Sequence, residues 1–328
     1  MSDTATLSRL FSSIEGDLAL VDQVFRERAF SDFPMLQDAS AFVVDTPGKR
    51  MRTALTLLSG RLISYKSEVL IPLSVAFEMT HLATLLHDDI IDHAQTRRGL
   101  PTVNSRYGDA VAILLGDFLF ARTAGLVAEL ENSRLDQLFA ETVTRVCEGT
   151  IVELMTAHKL NVTMNQYLDR IERKTACLMA ACCKGAALAV SGTPDQVEAL
   201  FRYGLNLGIA FQIVDDVLDY TGAESSIGKP TGNDLRQGLV TLPLIYALQV
   251  EQNGRLPWLE GIVTAPEQHE TEISDVVRWV AEGDGIARAR ELASRYAADA
   301  RGALDALPDN EVRDLLADLV DFVLTRTH

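Results

Sequence analysis

Apolar residues recur along this chain at intervals of three and four positions, the spacing that gathers them on one face of an α-helix. The segments 134–159 and 286–307 are long examples of this pattern. Runs of alternating valine, isoleucine and threonine, which would indicate β-strands, are nearly absent. The pattern therefore predicts an all-α protein.

Length and composition bound the domain organisation. The chain has 328 residues, of which 47% are hydrophobic; chains of this length hold about two domains on average, although one large domain is allowed. The sequence contains no linker rich in proline, serine and glycine, no low-complexity tract and no convincing short repeat. We therefore predict a single helical domain over residues 1–328.

Two of the predicted helices end in aspartate triplets with the same spacing. The triplets are Asp88, Asp89 and Asp92, and Asp215, Asp216 and Asp219. Residues i and i+4 of a helix lie on one face, so each triplet offers a pair of carboxylates. The predicted helices, residues 70–91 and 197–220, place both triplets in a last turn, where the helix dipole disfavours negative charge. A bound divalent cation would compensate, and Mg²⁺ takes the oxygen ligands available here.

A solvated acidic helix end is the alternative for either triplet taken alone. Two copies of the spacing, each in apolar sequence, favour a metal site instead. The histidines near the first triplet, His81, His87 and His93, recur every six residues, which is not the i, i+4 spacing of helical zinc ligands. We therefore expect carboxylate ligands and no histidine metal site.

Basic residues near the triplets indicate what anion such a metal would hold. They are Lys49, Arg50 and Arg52 at a predicted helix start, Arg97 and Arg98 after the first triplet, Lys174 within an apolar helix, and Lys229 after the second triplet. Free N–H groups at a helix start favour phosphate. Each basic residue alone could form a surface ion pair, but together they predict a site for several phosphates. No glycine segment matches a P-loop or a strand-linked GxGxxG, so nucleotide binding by those routes is not expected.

Charge and composition exclude other classes of partner. The net charge of −16 argues against nucleic acid and leaves no polybasic patch for a membrane surface. We expect no membrane span, since no apolar run reaches the length of about 18 residues that a span requires. The polar start, residues 1–4, lacks a secretory signal pattern, which favours the cytoplasm. The cysteines, at positions 147, 177, 182 and 183, form no CxxC pair and are expected to be reduced core thiols.

From about Asp45 to the C-terminus the chain resembles a known enzyme family. The segments that carry the resemblance are Gly48-Lys49-Arg50-Met51-Arg52, Leu85-Leu86-His87-Asp88-Asp89-Ile90-Ile91-Asp92, Arg97-Arg98-Gly99, Gly116-Asp117-Phe118-Leu119, Lys174-Thr175, Phe211-Gln212-Ile213-Val214-Asp215-Asp216-Val217-Leu218-Asp219 and Gly228-Lys229-Pro230. They are similar to those of the trans-polyprenyl diphosphate synthases, head-to-tail prenyltransferases of the polyprenyl synthetase family. The resemblance implies an all-α bundle around a deep central cavity, a homodimer, and a requirement for Mg²⁺, with three ions when the allylic diphosphate is bound.

The resemblance also implies roles for individual residues. The metal ligands would be Asp88, Asp92 and Asp215, supported directly or through water by Asp89, Asp216 and Asp219. The allylic diphosphate would be held by Arg97, Lys174 and Lys229, and isopentenyl diphosphate by Lys49, Arg52, His81 and Arg98. The oxygens of Thr175 and Gln212 would stabilise the allylic carbocation. The isopentenyl double bond would attack that cation, and the released diphosphate would remove the proton. Apart from the resemblance, we expect His87 and His93 to orient neighbouring carboxylates or backbone groups.

Two positions before the first triplet bear on the length of the product. In the family, aromatic residues four and five positions before the first triplet stop growth at farnesyl or geranylgeranyl length. Here Thr84 and Ala83 occupy them, about one turn below Asp88 at about 1.5 Å per residue. These small residues predict a product of about C30 to C50, with a deeper floor near Phe118 or Phe120; alternatively, they permit close helix packing.

One residue departs from the family pattern. Leu239 stands where many relatives carry a lysine that helps to hold the allylic diphosphate. One phosphate contact is therefore in doubt, and Arg236 would replace it in part. We expect this departure to weaken substrate affinity rather than to abolish activity.

Other functions remain as alternatives. The chain could be a short-chain farnesyl or geranylgeranyl diphosphate synthase, or a non-catalytic partner subunit of a heteromeric synthase, although such subunits usually lose the aspartates. A class I terpene cyclase is disfavoured by the spacing of the second triplet. A squalene-type condensing enzyme is disfavoured by the basic segment 48–52.

Overall fold

The computed structural model describes residues 3–44, 49–97, 99–222, 231–251 and 254–327, and these residues are predominantly helical. The α-helices in chain order are α1 (Asp3–Phe11), α2 (Glu15–Arg28), α3 (Pro34–Val44), α4 (Met51–Ile63), α5 (Ser67–Ile91), α6 (Val103–Tyr107), α7 (Asp109–Ala128), α8 (Ser133–Thr156), α9 (Met164–Ile171), α10 (Cys177–Ala189), α11 (Pro194–Thr221), α12 (Asn233–Arg236), α13 (Leu242–Gln249), α14 (Leu256–Thr264), α15 (Glu270–Glu282), α16 (Gly285–Ala303) and α17 (Glu311–Thr325). The strands found in the described residues are β1 (Thr96–Arg97) and β2 (Leu100–Pro101), an antiparallel pair. The all-α prediction is confirmed.

Two compact units can be distinguished in the chain. The first comprises Met1–Thr144, Leu178–Gly204 and Ala303–Asp318, and the second comprises Arg145–Cys177, Leu205–Gly302 and Leu319–His328. Each has its own apolar core, so each can hold functional side chains on packed helices. The prediction of a single domain stays a prediction.

The core of the first unit is built around α5. This helix packs against α2, α4 and α7, and it buries apolar side chains along most of its length, from Leu70 to Leu86. The predicted helix 70–91 matches the observed span, Ser67–Ile91, with Asp92 as the capping residue at its C-terminus. The first aspartate triplet therefore lies in the last turn and cap of a buried helix, as predicted.

The second unit holds the other triplet on α11. The helix ends at Thr221, close to the predicted end at residue 220, so Asp215, Asp216 and Asp219 occupy its last two turns. Ile213 and Val217 of this helix are buried in a core to which α9, α13, α14 and α15 contribute. Packing from several helices thus fixes the orientation of the second triplet.

Two helices exceed the apolar length expected from the sequence. By length and composition alone, α5 and α7 are both capable of crossing a membrane, so the expectation that no segment reaches this length was wrong. In α5, 67% of the most apolar window is buried within the protein, whereas in α7 only 39% is buried. The burial of α5 accounts for its apolar sequence as a core helix, and α7 keeps an apolar face at the surface.

The cysteines are free thiols, and three of them are buried. Cys182 and Cys183 lie side by side in α10 without accessible surface. Burial raises the pKa of Cys182 well above its usual range and that of Cys183 to about 12. Cys147 is exposed on α8, so the prediction of a core thiol was wrong at this position.

Candidate functional site

The first aspartate triplet separates into one buried and two partly exposed carboxylates. Asp89 is 5% exposed and accepts a hydrogen bond of 2.7 Å from Nε of Arg97. Asp88 and Asp92, one turn apart, are half-buried. The hairpin formed by β1 and β2 follows the helix end and places Arg97 on Asp89. Arg97, predicted to hold a diphosphate, thus also neutralises the buried member of the triplet.

A close contact between α5 and α7 lies next to this triplet. Nε2 of His87 on α5 lies 3.2 Å from the carbonyl oxygen of Ile113 on α7. A Cβ atom on Gly116 would lie only 2.3 Å from the same nitrogen. Gly116 therefore allows α7 to approach the imidazole in this position, which gives Gly116 a packing role next to the triplet.

The basic segment before α4 is held by acidic residues of two other helices. Arg50 caps α4 with a left-handed backbone, φ 50°, and its guanidinium pairs with Asp22 at 2.7 Å and Glu78 at 3.7 Å. Burial raises the pKa of Glu78, and the nearby charges of Arg52 and Arg50 lower it. Glu78 belongs to the same face of α5 as His81, at i and i+3. Glu78 was not among the residues predicted from the sequence, although its spacing to His81 on a buried helix was a signal.

The predicted isopentenyl diphosphate ligands that the structure describes lie partly exposed in the first unit. Lys49 precedes α4, Arg52 lies in its first turn, and His81 lies on α5; all three side chains are half-buried. Arg98, from the same predicted set, lies outside the described residues. The described members of this set are therefore partly exposed at the end of the basic segment and on α5.

A chain of hydrogen bonds fixes the buried aspartate of the second triplet. Thr175 donates to Oε1 of Gln212 at 2.9 Å, and Nε2 of Gln212 donates to Oδ1 of Asp216 at 2.8 Å. The phenol of Tyr167 donates to Oδ2 of Asp216 at 2.7 Å. Burial raises the pKa of Asp216 to about 7, against the hydrogen bonds from Tyr167 and Gln212, which lower it. The network joins two predicted cation-stabilising residues, Thr175 and Gln212, to the triplet.

Asp219 and Asp215 have different surroundings. The two oxygens of Asp219 accept hydrogen bonds from the backbone N–H groups of Asn233 and Asp234, at 3.0 and 3.1 Å. Asp215 is exposed on one side, and on the other Oδ1 accepts hydrogen bonds from both terminal nitrogens of Arg326 at 3.1 Å. Asp219 thus anchors the start of α12, and Asp215 is the member of this triplet most open to solvent.

The segment with Lys174 and Thr175 is a π-helical turn, Glu172–Ala176, a feature found frequently at functional sites. The ammonium of Lys174 forms an ion pair with Glu153 of α8. Gly149, one turn before Glu153, allows this approach, because a Cβ there would lie 2.5 Å from the backbone nitrogen of Lys174. Lys174 was predicted to hold a diphosphate; in the structure it pairs with Glu153.

Besides Glu78, three residues of the site were missed from the sequence: Tyr167, Glu153 and Arg326. Tyr167 and Arg326 lie far from the second triplet in the chain, and only packing brings them to it. Glu153 lies within a helix whose repeat of polar and apolar positions gives no hint of its partner. No local pattern in the sequence marked these residues.

The segment after the second triplet is described in part. Lys229 lies outside the described residues. Leu239 is half-buried, and its N–H donates to the carbonyl oxygen of Asp234 at 2.8 Å. Arg236, considered as its replacement, pairs with Glu270 at 2.8 Å and donates to the carbonyl oxygen of Thr231 at 2.7 Å. Two of its three guanidinium nitrogens, Nε and Nη1, therefore already have protein partners.

The residues predicted to set product length differ in burial. Ala83 has no accessible surface, whereas Thr84 is half-buried and its hydroxyl donates to the carbonyl oxygen of His81 at 2.7 Å. Phe120 contacts the imidazole of His87, with ring centroids 5.9 Å apart. Phe118 lines a surface groove of about 510 Å³ with Phe30, Phe33 and Arg122.

The fit of a divalent metal follows from the chemistry of the donors. No group of three or more candidate ligand side chains is close enough to form a preassembled site within the part of the chain that the structure describes. Mg²⁺, however, usually keeps several waters and binds one or two carboxylates together with substrate phosphates. The partly exposed carboxylates of Asp88, Asp92 and Asp215 meet that requirement, whereas Asp216 is buried with both oxygens hydrogen-bonded.

Comparison with known proteins decides the family. The polyprenyl synthetase model matches residues 33–280. The chain belongs to the polyprenyl synthetase family. Both aspartate triplets fall within the matched residues, whereas Arg326 lies beyond them.

Individual relatives of this polyprenyl synthetase align over nearly the whole chain. Heptaprenyl diphosphate synthase component 2 of Geobacillus stearothermophilus is 38% identical over 98% of this chain and 99% of its own. A decaprenyl diphosphate synthase from Rhodobacter capsulatus superposes with a TM-score of 0.92 at 34% identity, covering 98% and 99% of the two chains.

Solved structures of the family also include ligand complexes and enzymes named for shorter products. A polyprenyl synthase from Caulobacter crescentus, complexed with calcium and isoprenyl diphosphate, gives a TM-score of 0.94 at 34% identity over 98% of each chain. A geranylgeranyl pyrophosphate synthetase from Pyrococcus horikoshii gives 0.89 at 30% identity over 97% and 99%. The fold is therefore common to members that differ in product name.

Proposed function

We propose that this protein is a prenyltransferase that condenses isopentenyl diphosphate with an allylic diphosphate and builds a long all-trans polyprenyl diphosphate. The observation that carries the proposal is the shared arrangement of the two triplets. In each, the central aspartate is buried and held by hydrogen-bond donors, while the first aspartate is at least partly exposed near a helix C-terminus. The helix dipole disfavours acids at a helix C-terminus. These aspartates therefore do not stabilise their helices, but they are suited to binding a cation.

The residues divide the work of an ionisation mechanism. When bound, Mg²⁺ would neutralise charge on the departing diphosphate, with Asp88, Asp92 and Asp215 as its protein ligands. Arg97 and Lys174 would add positive charge on the diphosphate oxygens. The oxygens of Thr175 and Gln212, fixed by their mutual hydrogen bond, would face the allylic cation.

The second substrate and the proton complete the reaction. Lys49, Arg52 and His81, which are half-buried, would hold isopentenyl diphosphate, and its double bond would attack the allylic carbon. Formation of the new carbon–carbon bond would leave a tertiary carbocation, and the released diphosphate would remove a neighbouring proton so that a double bond re-forms. An apolar surrounding would exclude water from the cation, and no side-chain base is needed.

The product is proposed to be long-chain, about C30 to C50, on the basis of the small residues Ala83 and Thr84 one turn before the triplet. The names of the relatives, heptaprenyl and decaprenyl diphosphate synthase, support that range. A geranylgeranyl product is the alternative, since enzymes so named share the fold.

A direct assay tests the reaction. Purified protein is incubated with isopentenyl diphosphate, a series of allylic primers and Mg²⁺, and the dephosphorylated products are sized. We expect Asp88→Ala and Asp215→Ala each to lower turnover by at least about 10²-fold, roughly 3 kcal/mol of transition-state stabilisation. Glu68→Ala on α5 and Asp195→Ala on α11, both exposed at the opposite helix ends, are matched controls.

The contrary results are equally definite. Full activity in excess chelator, or in either triplet variant with unchanged circular dichroism, would contradict the mechanism. A wild-type chain that is inactive alone but active after addition of a second protein would favour a heteromeric synthase, which the name "component 2" of a relative also suggests.

We further infer a homodimer, supported by the surface of α7. Leu114 is 61% exposed and Ile113 is 44% exposed on a helix whose most apolar window is only 39% buried. Contiguous apolar surface of this kind marks interaction sites. Light scattering should show a dimer that Leu114→Glu weakens, whereas Leu256→Glu, at a leucine that is 49% exposed on α14, should leave the dimer intact.

The cytoplasm is the proposed location. All four cysteines are free thiols, which fits a reducing compartment. Fractionation of cells with an antibody to the protein tests this proposal; recovery in the membrane or secreted fraction would contradict it.

A further inference from the structure

A buried arginine near the end of the sequence contacts the second triplet. Arg326 directly follows α17, and its side chain is only 2% exposed. Both terminal nitrogens donate to Oδ1 of Asp215 at 3.1 Å, and Nη2 also donates to the carbonyl oxygen of Phe211 at 2.9 Å. The guanidinium lies 4.0 Å from the centre of the Phe211 ring. Phe211 and Asp215 are one turn apart on α11, so Arg326 docks on one face of that helix.

Burying this charge requires a compensating anion. A buried guanidinium without a paired carboxylate is strongly destabilising, and Nε of Arg326 has no hydrogen-bond partner in the described part of the structure. The carboxylate of Asp215 is the anion with which it pairs. The ion pair therefore holds the C-terminal segment on α11.

The two oxygens of Asp215 are unequal. Oδ1 receives both bonds from Arg326, whereas no hydrogen bond to Oδ2 is found among the described residues. The Asp215 side chain is 55% exposed, in contrast to its partner. The carboxylate of Asp215 therefore contacts the positive charge of Arg326 on one side and solvent on the other.

We propose that Arg326 is a positioning residue that acts as the internal counter-ion of Asp215 and so lowers the affinity of the second triplet for a free divalent cation. The inference rests on the proposed function only in taking Asp215 as a metal ligand. A fixed positive charge a few ångströms from the carboxylate repels a dication. The second triplet then loads metal effectively only when a diphosphate brings additional negative charge, which couples metal loading to substrate.

Metal titration without substrate tests the proposal. The probe is Mn²⁺, whose free concentration is followed by electron paramagnetic resonance. We expect Arg326→Gln, which removes the charge but can still hydrogen-bond, to bind Mn²⁺ at least about threefold more tightly than wild type, because the repulsion is lost. Arg326→Lys, which keeps the charge, should bind Mn²⁺ as wild type does. Arg301→Met, which removes an arginine paired with Asp321 at the surface, is the matched control and should leave the affinity unchanged.

The opposite outcomes overturn the proposal. Unchanged or weaker Mn²⁺ binding in Arg326→Gln would show that Arg326 orients Asp215 without repelling the metal. Equal tightening in Arg326→Lys would show that geometry, not charge, is responsible. Because the titration contains no substrate, a failure of prenyl transfer by the wild-type protein is recorded separately and would refute only the proposed reaction.

A stability cycle provides a second, metal-free test. Thermal unfolding in chelator is measured for the wild type, Asp215→Asn, Arg326→Gln and the double variant. If Arg326 is the counter-ion of Asp215, the decrease in melting temperature of the double variant should be smaller than the sum of the decreases in the two single variants. The reason is that the second change no longer leaves a buried charge without its partner. Strict additivity would remove the counter-ion role even if one single variant folds poorly.

Discussion

The phenol of Tyr167 donates a hydrogen bond of 2.7 Å to Oδ2 of Asp216, and both side chains are buried. The partners lie on α9 and α11, so the bond joins two helices at the second triplet. It also satisfies a carboxylate oxygen of Asp216, a residue that is only 4% exposed. Loss of the phenol should therefore affect both the stability of the second unit and the order of the triplet.

Replacement Tyr167→Phe tests this relationship. We expect a loss of about 1–3 kcal/mol in the free energy of unfolding, because Asp216 is left with an unsatisfied buried oxygen, together with a lower rate of prenyl transfer. Tyr203→Phe is the matched control: Tyr203 is equally buried and donates at 2.8 Å to the carbonyl oxygen of Leu316, away from either triplet. It should lose comparable stability but keep the wild-type rate. If the two variants transferred prenyl groups at the same rate, Tyr167 would have no specific role in the site.

Product length should respond to the residue at position 83. Ala83→Phe places an aromatic ring one turn before Asp88, and we expect it to stop growth at farnesyl or geranylgeranyl length while the first condensation proceeds at a normal rate. Chromatography of the dephosphorylated products measures this.

The burial of Ala83 makes a second outcome measurable. If this residue only permits close helix packing, Ala83→Phe should lose melting temperature without a change in product length. Thr84→Phe, at the half-buried neighbouring position, separates the two explanations, because it should shorten the product with a smaller loss of stability. A wild type that already stops at geranylgeranyl length would refute the open-passage argument.

Leu239→Lys should lower the apparent KM for the allylic primer. A charge-assisted hydrogen bond contributes about 1.5–3 kcal/mol, less at a half-buried position such as this one. Steady-state kinetics give the constant, and Leu239→Met, which adds no charge, serves as the control. An unchanged KM would mean that the new ammonium pairs with a protein carboxylate instead of the diphosphate.

The adjacent thiols of Cys182 and Cys183 should resist modification in the folded protein. Burial raises the pKa of both thiols, that of Cys183 to about 12, so both are protonated and shielded at neutral pH, and the thiolate is the reactive form. In the double variant Cys147→Ser and Cys177→Ser, a thiol reagent should give no fast reaction until denaturant is added. Rapid labelling of that variant without denaturant would show that α10 opens readily.

The helical character and the positions of the triplets could be predicted from the sequence, because both depend on local patterns. A spacing of three and four residues defines a helix face wherever it occurs. The ends of α5 and α11 were found within a few residues, since polar sequence follows the first and Gly222 follows the second. The repeated aspartate spacing then identified carboxylates that share a helix face.

The partners of those carboxylates were decided by tertiary structure. Arg97 was recognised beside the first triplet because it follows within a few residues, but its bond to Asp89 depends on a short hairpin. Tyr167 and Arg326 reach the second triplet from positions 49 and 111 residues away in the chain, and such contacts leave no periodic trace.

The electrostatics of the second triplet show most clearly what the sequence determined and what the tertiary structure decided. The sequence alone determined that three acids at a helix end need positive charge, because the dipole and their mutual repulsion follow from local positions. It could not determine that an arginine at the end of the chain supplies part of that charge to Asp215. Which side chain neutralises an acid depends on which segments pack together, and the docking of Arg326 against α11 is a property of the whole second unit.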